Sequence, residues 1–289
     1  TYYGLGKYNK AESMLRRALQ IQEDVLGSEH PKTLESMSNL GSVFSRSGKH
    51  NEAERMHRRA LLIREKMLGP EHPDTLNSVN SLAIALSDLG RYEEAEAMHQ
   101  RTLHIREKAL GSEHPDTLKS ANNLAIVLLH LGKYEEAESL QRRTLEIREK
   151  VLGPEHPETI SSISSLAVVL SHLEKYEEAK AMHQRALQIR EKTLGPEHPD
   201  TVDSINNLGL ALYDLGEHNK AETMLRRALE IEERVLGPEH PDTLNSVNNL
   251  GLILLEMGRY DEAEAMYRRA LEVREKLQGP ESPHALICF

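Results

Sequence analysis

Apolar residues recur along this chain at the spacing of one face of a helix. In one segment they follow at steps of three, three, one, three and three residues: Leu76, Val79, Leu82, Ala83, Leu86 and Leu89. Pro73 suits the first helical position, where a missing N–H costs nothing, and Asp74 places a negative charge in the first turn, at the positive end of the helix dipole. Gly90 suits the left-handed backbone that follows a last turn. The pattern predicts a helix from Pro73 to about Leu89.

A second apolar pattern follows at once and predicts a second helix from about Arg91 to Leu110, ended by Gly111. Its inward or half-inward residues are Tyr92, Ala95, Met98, His99, Thr102, Leu103, Ile105 and Leu110. Because only a short glycine turn separates the two helices, they are predicted to form an antiparallel hairpin.

The hairpin pattern returns every 42 residues, marked each time by LGPEHPDT or a close relative of it. A fixed period of this size is typical of units that bury their apolar faces only against neighbouring units. We therefore predict an all-α fold, a right-handed superhelical solenoid of antiparallel helix hairpins, forming a single array over residues 1–289. The predicted segments are a partial repeat at 1–28, hairpins at 31–69, 73–111, 115–153, 157–195, 199–237 and 241–279, and the start of a further repeat at 280–289.

The order of Leu82, Ala83, Leu86, Gly90, Tyr92, Ala95 and Leu103 resembles the tetratricopeptide (TPR) repeat. The 42-residue period, the NNLA and YEEAE segments and the LG-x-x-HP link resemble the kinesin light chain repeats. The same subtype occurs in nephrocystin-like proteins and in signal-transduction NTPases of the STAND type. The resemblance implies a non-catalytic scaffold that binds an extended peptide or partner segment in a concave groove. The alternative that it implies is the ligand-sensing repeat domain of a STAND-type ATPase whose NTPase domain lies outside this segment.

Comparison of the six units separates fixed positions from variable ones. The fixed positions are Thr at 33, 75, 117, 159, 201 and 243, Ser three residues later, and Leu at 40, 82, 124, 166, 208 and 250. The most variable positions of the first helix are those equivalent to 35, 42, 45 and 46, and they project from one helical stripe together with an intervening Asn/Ser pair. This stripe is the predicted recognition surface.

Amide side chains can donate to and accept from the backbone of an extended peptide, and the resemblance implies the same use of groove asparagines. The alternative is that the amides link neighbouring helices or are solvated. The predicted groove residues are Asn77, Asn80, Asp88, Lys119, Asn122, Asn123, His130, His172, Asp203, Asn206, Asn207, Tyr213, Asp214, Asn245, Asn248, Asn249 and Glu256.

Arginine recurs near the end of the second helix and is interrupted once, by Glu232. These arginines are predicted to reach the groove rim, where they could meet a peptide carboxylate. The alternative is that they form salt bridges with nearby glutamates. The predicted rim residues are Arg64, Arg106, Arg148, Arg190 and Arg274.

Charge and composition narrow the choice of partner. A formal net charge of -10 disfavours nucleic acids and anionic membranes, and no apolar run is long enough to cross a bilayer. Cys288 is the only cysteine, which is compatible with a reducing compartment and favours the cytoplasm. The chain begins without Met and stops at HALICF, so further repeats or domains of the same chain are expected.

Candidate chemistry is sparse. One histidine per repeat, at 30, 72, 114, 156, 198 and 240, is predicted to serve as a linker or cap because equivalent residues of stacked hairpins cannot converge on one ion. Glu54 and Glu96 each stand three residues before a histidine, a spacing that could place two metal ligands on one helical turn. The equivalent of that histidine is Leu225 or Tyr267 in other hairpins, which indicates a packing position. Phosphate-loop, dinucleotide, serine-nucleophile and zinc-protease motifs are missing from the sequence. No catalytic residue, metal site or cofactor is predicted, and the protein is not expected to be an enzyme.

Overall fold

The computed structural model describes residues 8–278, apart from the side chains of residue 274 and residues 276–278. Over this range it contains thirteen α-helices and no β-strand. The helices are α1 Tyr8–Leu26, α2 Pro31–Arg46, α3 His50–Leu68, α4 Pro73–Asp88, α5 Tyr92–Leu110, α6 Pro115–His130, α7 Tyr134–Leu152, α8 Pro157–His172, α9 Tyr176–Leu194, α10 Pro199–Asp214, α11 His218–Val235, α12 Pro241–Glu256 and α13 Tyr260–Gln278.

The LGPEHPDT segments start the even-numbered helices through a histidine cap. Proline occupies the first turn of each of these helices, and the histidine before it is the N-cap residue. In α6, the Nδ1 atom of His114 accepts a hydrogen bond from the backbone N–H of Asp116 at 3.1 Å. This bond satisfies one of the amides that a helix start leaves without a partner. The linker histidines therefore have the capping role that the sequence predicts.

Glycines with positive φ end the helices. The short turn inside five of the six hairpins carries one, such as Gly90 with φ of 74° and Gly132 with φ of 72°. At the equivalent position of the 157–195 hairpin the residue is Glu174, the one non-glycine residue with positive φ in the described chain, at 58°. An L-residue with a side chain pays for this conformation, which glycine adopts freely.

The chain divides into two compact units between Thr144 and Leu145, inside α7. In the first unit, successive helices from α1 to α6 pack on one another, and α2 also contacts α4. A core cluster there contains Met37, Leu40 and Phe44 of α2, packed with Leu19 of α1 and Ala85 of α4. Each helix therefore packs against helices near it in sequence, as expected for a repeat array.

The second unit follows the same plan. Helices α8 to α13 pack in succession, and α10 contacts both α8 and α12. Its largest core cluster includes Leu208 and Leu212 of α10, Leu225 of α11, and Leu250 and Ile253 of α12. Leucine, isoleucine, valine and alanine fill this interior, which agrees with the scarcity of aromatic residues in the sequence.

A column of small residues lets the two helices of a hairpin approach closely. In the first described hairpin, a Cβ atom added to Gly41 would lie 2.6 Å from Cε1 of His57. The equivalent Gly209 faces Leu225, and Gly251 faces Tyr267. The column that contains His57, His99 and His183 is therefore a packing column, as its replacement by leucine and tyrosine indicates.

The predicted all-α hairpin fold is confirmed, and the helix starts at proline agree with the sequence. The ends of the predicted partial repeats, residues 1–7 and 279–289, lie outside the described residues. That the hairpins form a single array stays a prediction.

Candidate functional site

In each unit the even-numbered helices expose one stripe of residues, at the positions equivalent to 35, 42, 45 and 46. We call this stripe the first-helix face. In α4, Leu82, Ala83 and Leu86 are buried, whereas Ile84 is 44% exposed. Ile126 of α6 occupies the equivalent position and is 45% exposed, and in the second unit Val168 of α8 is 39% exposed. These branched apolar side chains stand outside the core at the most variable positions of the repeat.

An open pocket in the first unit lies on this face. It is lined by Ser42, Ser45 and Arg46 of α2, His50 and His57 of α3, and Ser81, Ile84 and Asp88 of α4. The Nδ1 atom of His50 lies 3.5 Å from a carboxylate oxygen of Asp88. The pocket thus brings together three of the four variable positions of adjacent hairpins, with an apolar wall and both charged and hydroxyl groups.

Several of the predicted groove amides form hydrogen bonds with side chains of neighbouring helices. Nδ2 of Asn123 donates to Oδ1 of Asn80 at 2.5 Å, which links α6 to α4. Nε2 of Gln141 donates to Oδ1 of Asn122 at 3.1 Å, and Nδ2 of Asn206 donates to Oγ of Ser246 at 2.8 Å. These bonds correspond to the alternative in which the amides link neighbouring helices.

Other predicted groove residues remain accessible. Asn207, Asn248 and Asn249 are half-buried, and Oδ1 of Asn248 is buried without a hydrogen-bond partner in the described chain. The exposed members are Asn77, Asp88, Lys119, His130, His172, Asp203, Asp214, Asn245 and Glu256. The first-helix face of each unit therefore still offers charged and amide groups at its surface.

Two predicted groove residues at the ends of even-numbered helices contact aromatic or histidine rings. The ring of His130 stacks on that of Tyr92, with centroids 4.9 Å apart. In the second unit, Tyr213 lies beside His218, with centroids 5.6 Å apart. Partial desolvation and the nearby carboxylates of Glu256 and Asp214 raise the pKa of Tyr213, so its hydroxyl stays protonated at neutral pH.

The predicted rim arginines lie where one hairpin meets the next. Arg106 is 3% exposed, and its Nη1 atom donates to Oγ of Ser120 at 2.8 Å while Nη2 donates to Oδ1 of Asn77 at 2.8 Å. Arg148 is 5% exposed and donates in the same way to Ser162 at 2.6 Å. These two guanidinium groups are held within the packed hairpins.

The same pairing joins the half-buried Arg64 to Ser78 at 2.5 Å and Arg190 to Ser204 at 2.6 Å. The side chain of Arg274 lies outside the described residues. The arginine and serine columns are 14 residues apart, and this bond explains four of the six fixed serines, Ser78, Ser120, Ser162 and Ser204. Sequence comparison identified both columns as recurrent but did not connect them, because the arginine and the serine lie on different helices.

The described residues contain no group of three or more histidine, cysteine, aspartate or glutamate side chains arranged to hold a metal ion. Within residues 8–278 we also find no helix that combines the length and the apolar character needed to traverse a bilayer. The cytoplasmic location stays a prediction.

A model of the tetratricopeptide repeat family matches the chain in six overlapping stretches, at residues 1–66, 46–108, 74–150, 116–191, 158–233 and 203–276. A search of curated proteins found no match.

Solved structures resemble the chain over most of its length. Two crystal structures of nearly identical TPR-like repeats, from a Podosopora anserina protein described as a kinesin light chain, are 30% identical to it. They have TM-scores of 0.64 and 0.62, and the matches cover 72% and 71% of this chain and 98% and 97% of theirs. BtubC (BKLC) of P. vanneervenii is similar at 22% identity, with a TM-score of 0.61 and coverage of 85% of this chain and 94% of that one. At that identity the likeness concerns the fold alone.

Proposed function

Because the chain belongs to the tetratricopeptide repeat family, as an array of the kinesin light chain-like subtype, we propose that its first-helix face binds an extended segment of a protein partner. The fold of this family is a scaffold for protein–protein interaction. The finer assignment, to this face and to an extended ligand, is our proposal.

The observation that carries the proposal is the pocket between α2 and α4. Its lining residues Ser42, Arg46, Ile84 and Asp88 belong to the positions that vary most from hairpin to hairpin. A scaffold needs fixed residues where hairpins pack, and it can vary its residues only where they do not pack. An apolar side chain beside paired polar groups suits a peptide, which offers both side chains and backbone amides.

The exposed apolar residues of the face support the same proposal. Ile84 and Ile126 occupy equivalent positions of adjacent hairpins in the first unit, and each leaves more than two fifths of its surface in water. Covering such side chains on binding is favourable at about 25 cal/mol per Å². A segment lying along this unit would contact both residues in turn. We propose that the scaffold is non-catalytic and that binding is its function.

The test places a photo-crosslinking amino acid at position 84 of the full chain, identifies the captured partner segment, and measures its affinity by calorimetry. Replacing Ile84 and Ile126 by serine, the residue that the chain itself carries at the equivalent Ser42, should weaken binding at least tenfold. Leu62 of α3 is 62% exposed and lies on a second helix, so Leu62→Ser serves as the matched control.

The asparagines give a second arm of this test. Replacement of the half-buried Asn207 and Asn249 by alanine should also lower the affinity for the captured segment, provided that circular dichroism shows a folded array. Unchanged affinity in both the serine and the alanine variants would remove the first-helix face as the binding site.

A further inference from the structure

Ion pairs between neighbouring hairpins are preserved when the charges change. Lys49 binds Glu12 at 2.7 Å, and Lys133 binds Glu96 at 2.7 Å, in each case across 37 residues. At the next described pair of this series both charges are exchanged: Lys180 now lies on the earlier hairpin and binds Glu217 at 3.0 Å. A reversed charge in this series is therefore matched by a reversed partner.

The arginine column contains a second charge reversal, and this one is not matched. Glu232 of α11 occupies the position that Arg64, Arg106, Arg148 and Arg190 hold in the earlier hairpins. The neighbouring charges that act on Glu232 are the carboxylates of Asp242 and Asp203. An acidic side chain has replaced a guanidinium group, and its surroundings have stayed acidic.

The carboxylate of Glu232 lacks a full set of partners. The residue is 3% exposed, and its Oε1 atom accepts a hydrogen bond from Nδ2 of Asn206 at 3.1 Å. Its Oε2 atom is buried and has no hydrogen-bond partner in the described part of the chain. Burial raises the pKa of Glu232, the polar side chains of Ser246 and Asn206 lower it, and the carboxylates of Asp242 and Asp203 raise it again, with a net upward shift. A buried acceptor of this kind costs free energy until a donor reaches it.

Glu232 lines a pocket of the second unit that combines apolar and acidic walls. Hydrophobic side chains of α10, of α11 and of the residue that follows α11 form one part of the wall. Carboxylates form the other part. Its principal residues are Val202, Asp203, Ile231, Glu232, Leu236 and Asp242. Glu197, at the edge, is already paired with Arg234 at 2.7 Å. Such a lining suits an aliphatic stem that ends in a positive charge.

The preceding hairpin shows which cation fits this place. There, Nη1 of Arg190 donates to Oγ of Ser204 and to the backbone carbonyl of Asp200, at 2.6 Å and 3.1 Å. The residues at the equivalent positions beside Glu232 are Ser246 and Asp242. In this hairpin the amide of Asn206 bridges Oγ of Ser246 and Oε1 of Glu232, so the acceptor that is left without a donor is Oε2 of Glu232.

We propose that this pocket binds a guanidinium group, supplied by an arginine side chain of the protein partner. Glu232 receives the charge-assisted hydrogen bonds, Asp203 and Asp242 add attraction, and Val202 and Leu236 cover the stem. The proposal rests on the proposed function in one respect, that a partner chain brings the arginine to this face.

Methylguanidinium is the probe that tests the pocket without a partner. In the full chain, we expect its titration to give saturable chemical-shift changes in the amide signals of Ile231, Val235 and Asp242. Tetramethylammonium, a cation that donates no hydrogen bond, should give no saturable change there. Glu232→Arg fills the pocket with the side chain that the other hairpins carry, so it should abolish the response to methylguanidinium.

Two further variants keep the result interpretable. Glu232→Gln keeps the size of the side chain and removes its charge, and it should weaken methylguanidinium binding at least fivefold. Glu230→Gln removes one negative charge as well, but at an exposed position of α11, and should leave methylguanidinium binding unchanged. Absence of saturable changes in the wild-type protein would overturn the proposal, as would equal binding by the wild-type, Glu232→Gln and Glu232→Arg proteins.

The two proposals fail separately. The methylguanidinium titration involves no partner, so its failure leaves the first-helix face untouched. If the serine and the alanine variants of the face all bind the partner normally while Glu232→Gln loses methylguanidinium, the face proposal is wrong and the pocket stands.

Discussion

Arg106 of α5 and Ser120 of α6 are joined by a buried hydrogen bond of 2.8 Å between Nη1 and Oγ. The same guanidinium group reaches back to Asn77 of α4 at 2.8 Å. One side chain therefore ties three consecutive helices together, and the bond to serine recurs at Arg64, Arg148 and Arg190. This contact gives Ser78, Ser120, Ser162 and Ser204 a packing role, which makes them part of the scaffold.

We predict that Arg106→Lys destabilises the array by about 1.5–3 kcal/mol, the usual loss for a buried hydrogen bond to a charged group. An ammonium group has the charge but not the planar fork that serves Asn77 and Ser120 together. Urea denaturation followed by circular dichroism measures the change. Arg101→Lys on the same helix alters a half-exposed pair with Glu65 at 3.6 Å and should cost less than about 0.5 kcal/mol. Equal losses for the two variants would show that Arg106 contributes no more than a surface ion pair.

The buried histidines of the odd-numbered helices predict a pH dependence of stability. Burial lowers the pKa of His57 to about 4, and the nearby charge of Arg64 acts in the same direction. Burial also lowers the pKa values of His99 and His183 to about 4. In the unfolded chain a histidine titrates near 6.5, so the unfolded state binds protons first. Stability should be complete above about pH 6.5 and fall as the pH drops from there towards 4.

His57→Leu tests this origin. Leu225 already packs against Gly209 in the way that His57 packs against Gly41, so leucine has a precedent in the same chain. We expect the variant to lose less stability than the wild-type protein between pH 7 and 5, where each unit of pH costs up to about 1.4 kcal/mol per buried histidine. Parallel curves of urea midpoint against pH for the two proteins would contradict the assignment.

The sequence predicted the helices well because their signals are local. Proline at Pro73, glycine at Gly90 and the apolar spacing between them act within one or two turns. Contacts between hairpins were less predictable: the bond from Arg106 to Ser120 and the ladder from Asn123 to Asn80 depend on how two helices are set against each other. No periodicity within one helix carries that information.

The candidate site, too, was predictable from the sequence only in part. Comparison of the units indicated which positions vary, and the pocket beside Ile84 and Asp88 collects several of them. It did not indicate that Asn122 and Asn206 bind neighbouring side chains, since an amide that packs and an amide that binds a peptide look alike in one sequence. The sequence signal that was available but not used is Glu232, where a recurrent arginine is replaced by an acidic residue that lies near the carboxylates of Asp203 and Asp242.

His114 should contribute to stability through its cap. His114→Ala removes the acceptor for the N–H of Asp116, and we expect a loss of about 1 kcal/mol, the typical cost of removing an N-cap side chain. His114→Asn restores an acceptor at that position and should recover most of the loss. His104→Ala, at an exposed position of α5, is the control for removing a histidine. Thermal unfolding measures all three, and a variant His114→Ala as stable as His104→Ala would show that the cap contributes little.

Glu174 holds a backbone conformation that the other hairpins assign to glycine. Its φ of 58° compares with 72° at Gly132, and a Cβ atom added to Gly132 would meet nothing within 4 Å. The difference between the residues at this turn is therefore a backbone effect: the left-handed conformation costs an L-residue about 1–2 kcal/mol, and the greater freedom of unfolded glycine offsets about 0.5–1 kcal/mol of it. We predict that Glu174→Gly stabilises the protein by about 0.5–1 kcal/mol in urea denaturation and that Gly132→Glu destabilises it by a similar amount. Because the two substitutions are reciprocal at equivalent turns, shifts of the same sign in both variants would mean that side-chain contacts, not backbone strain, decide the residue at this position.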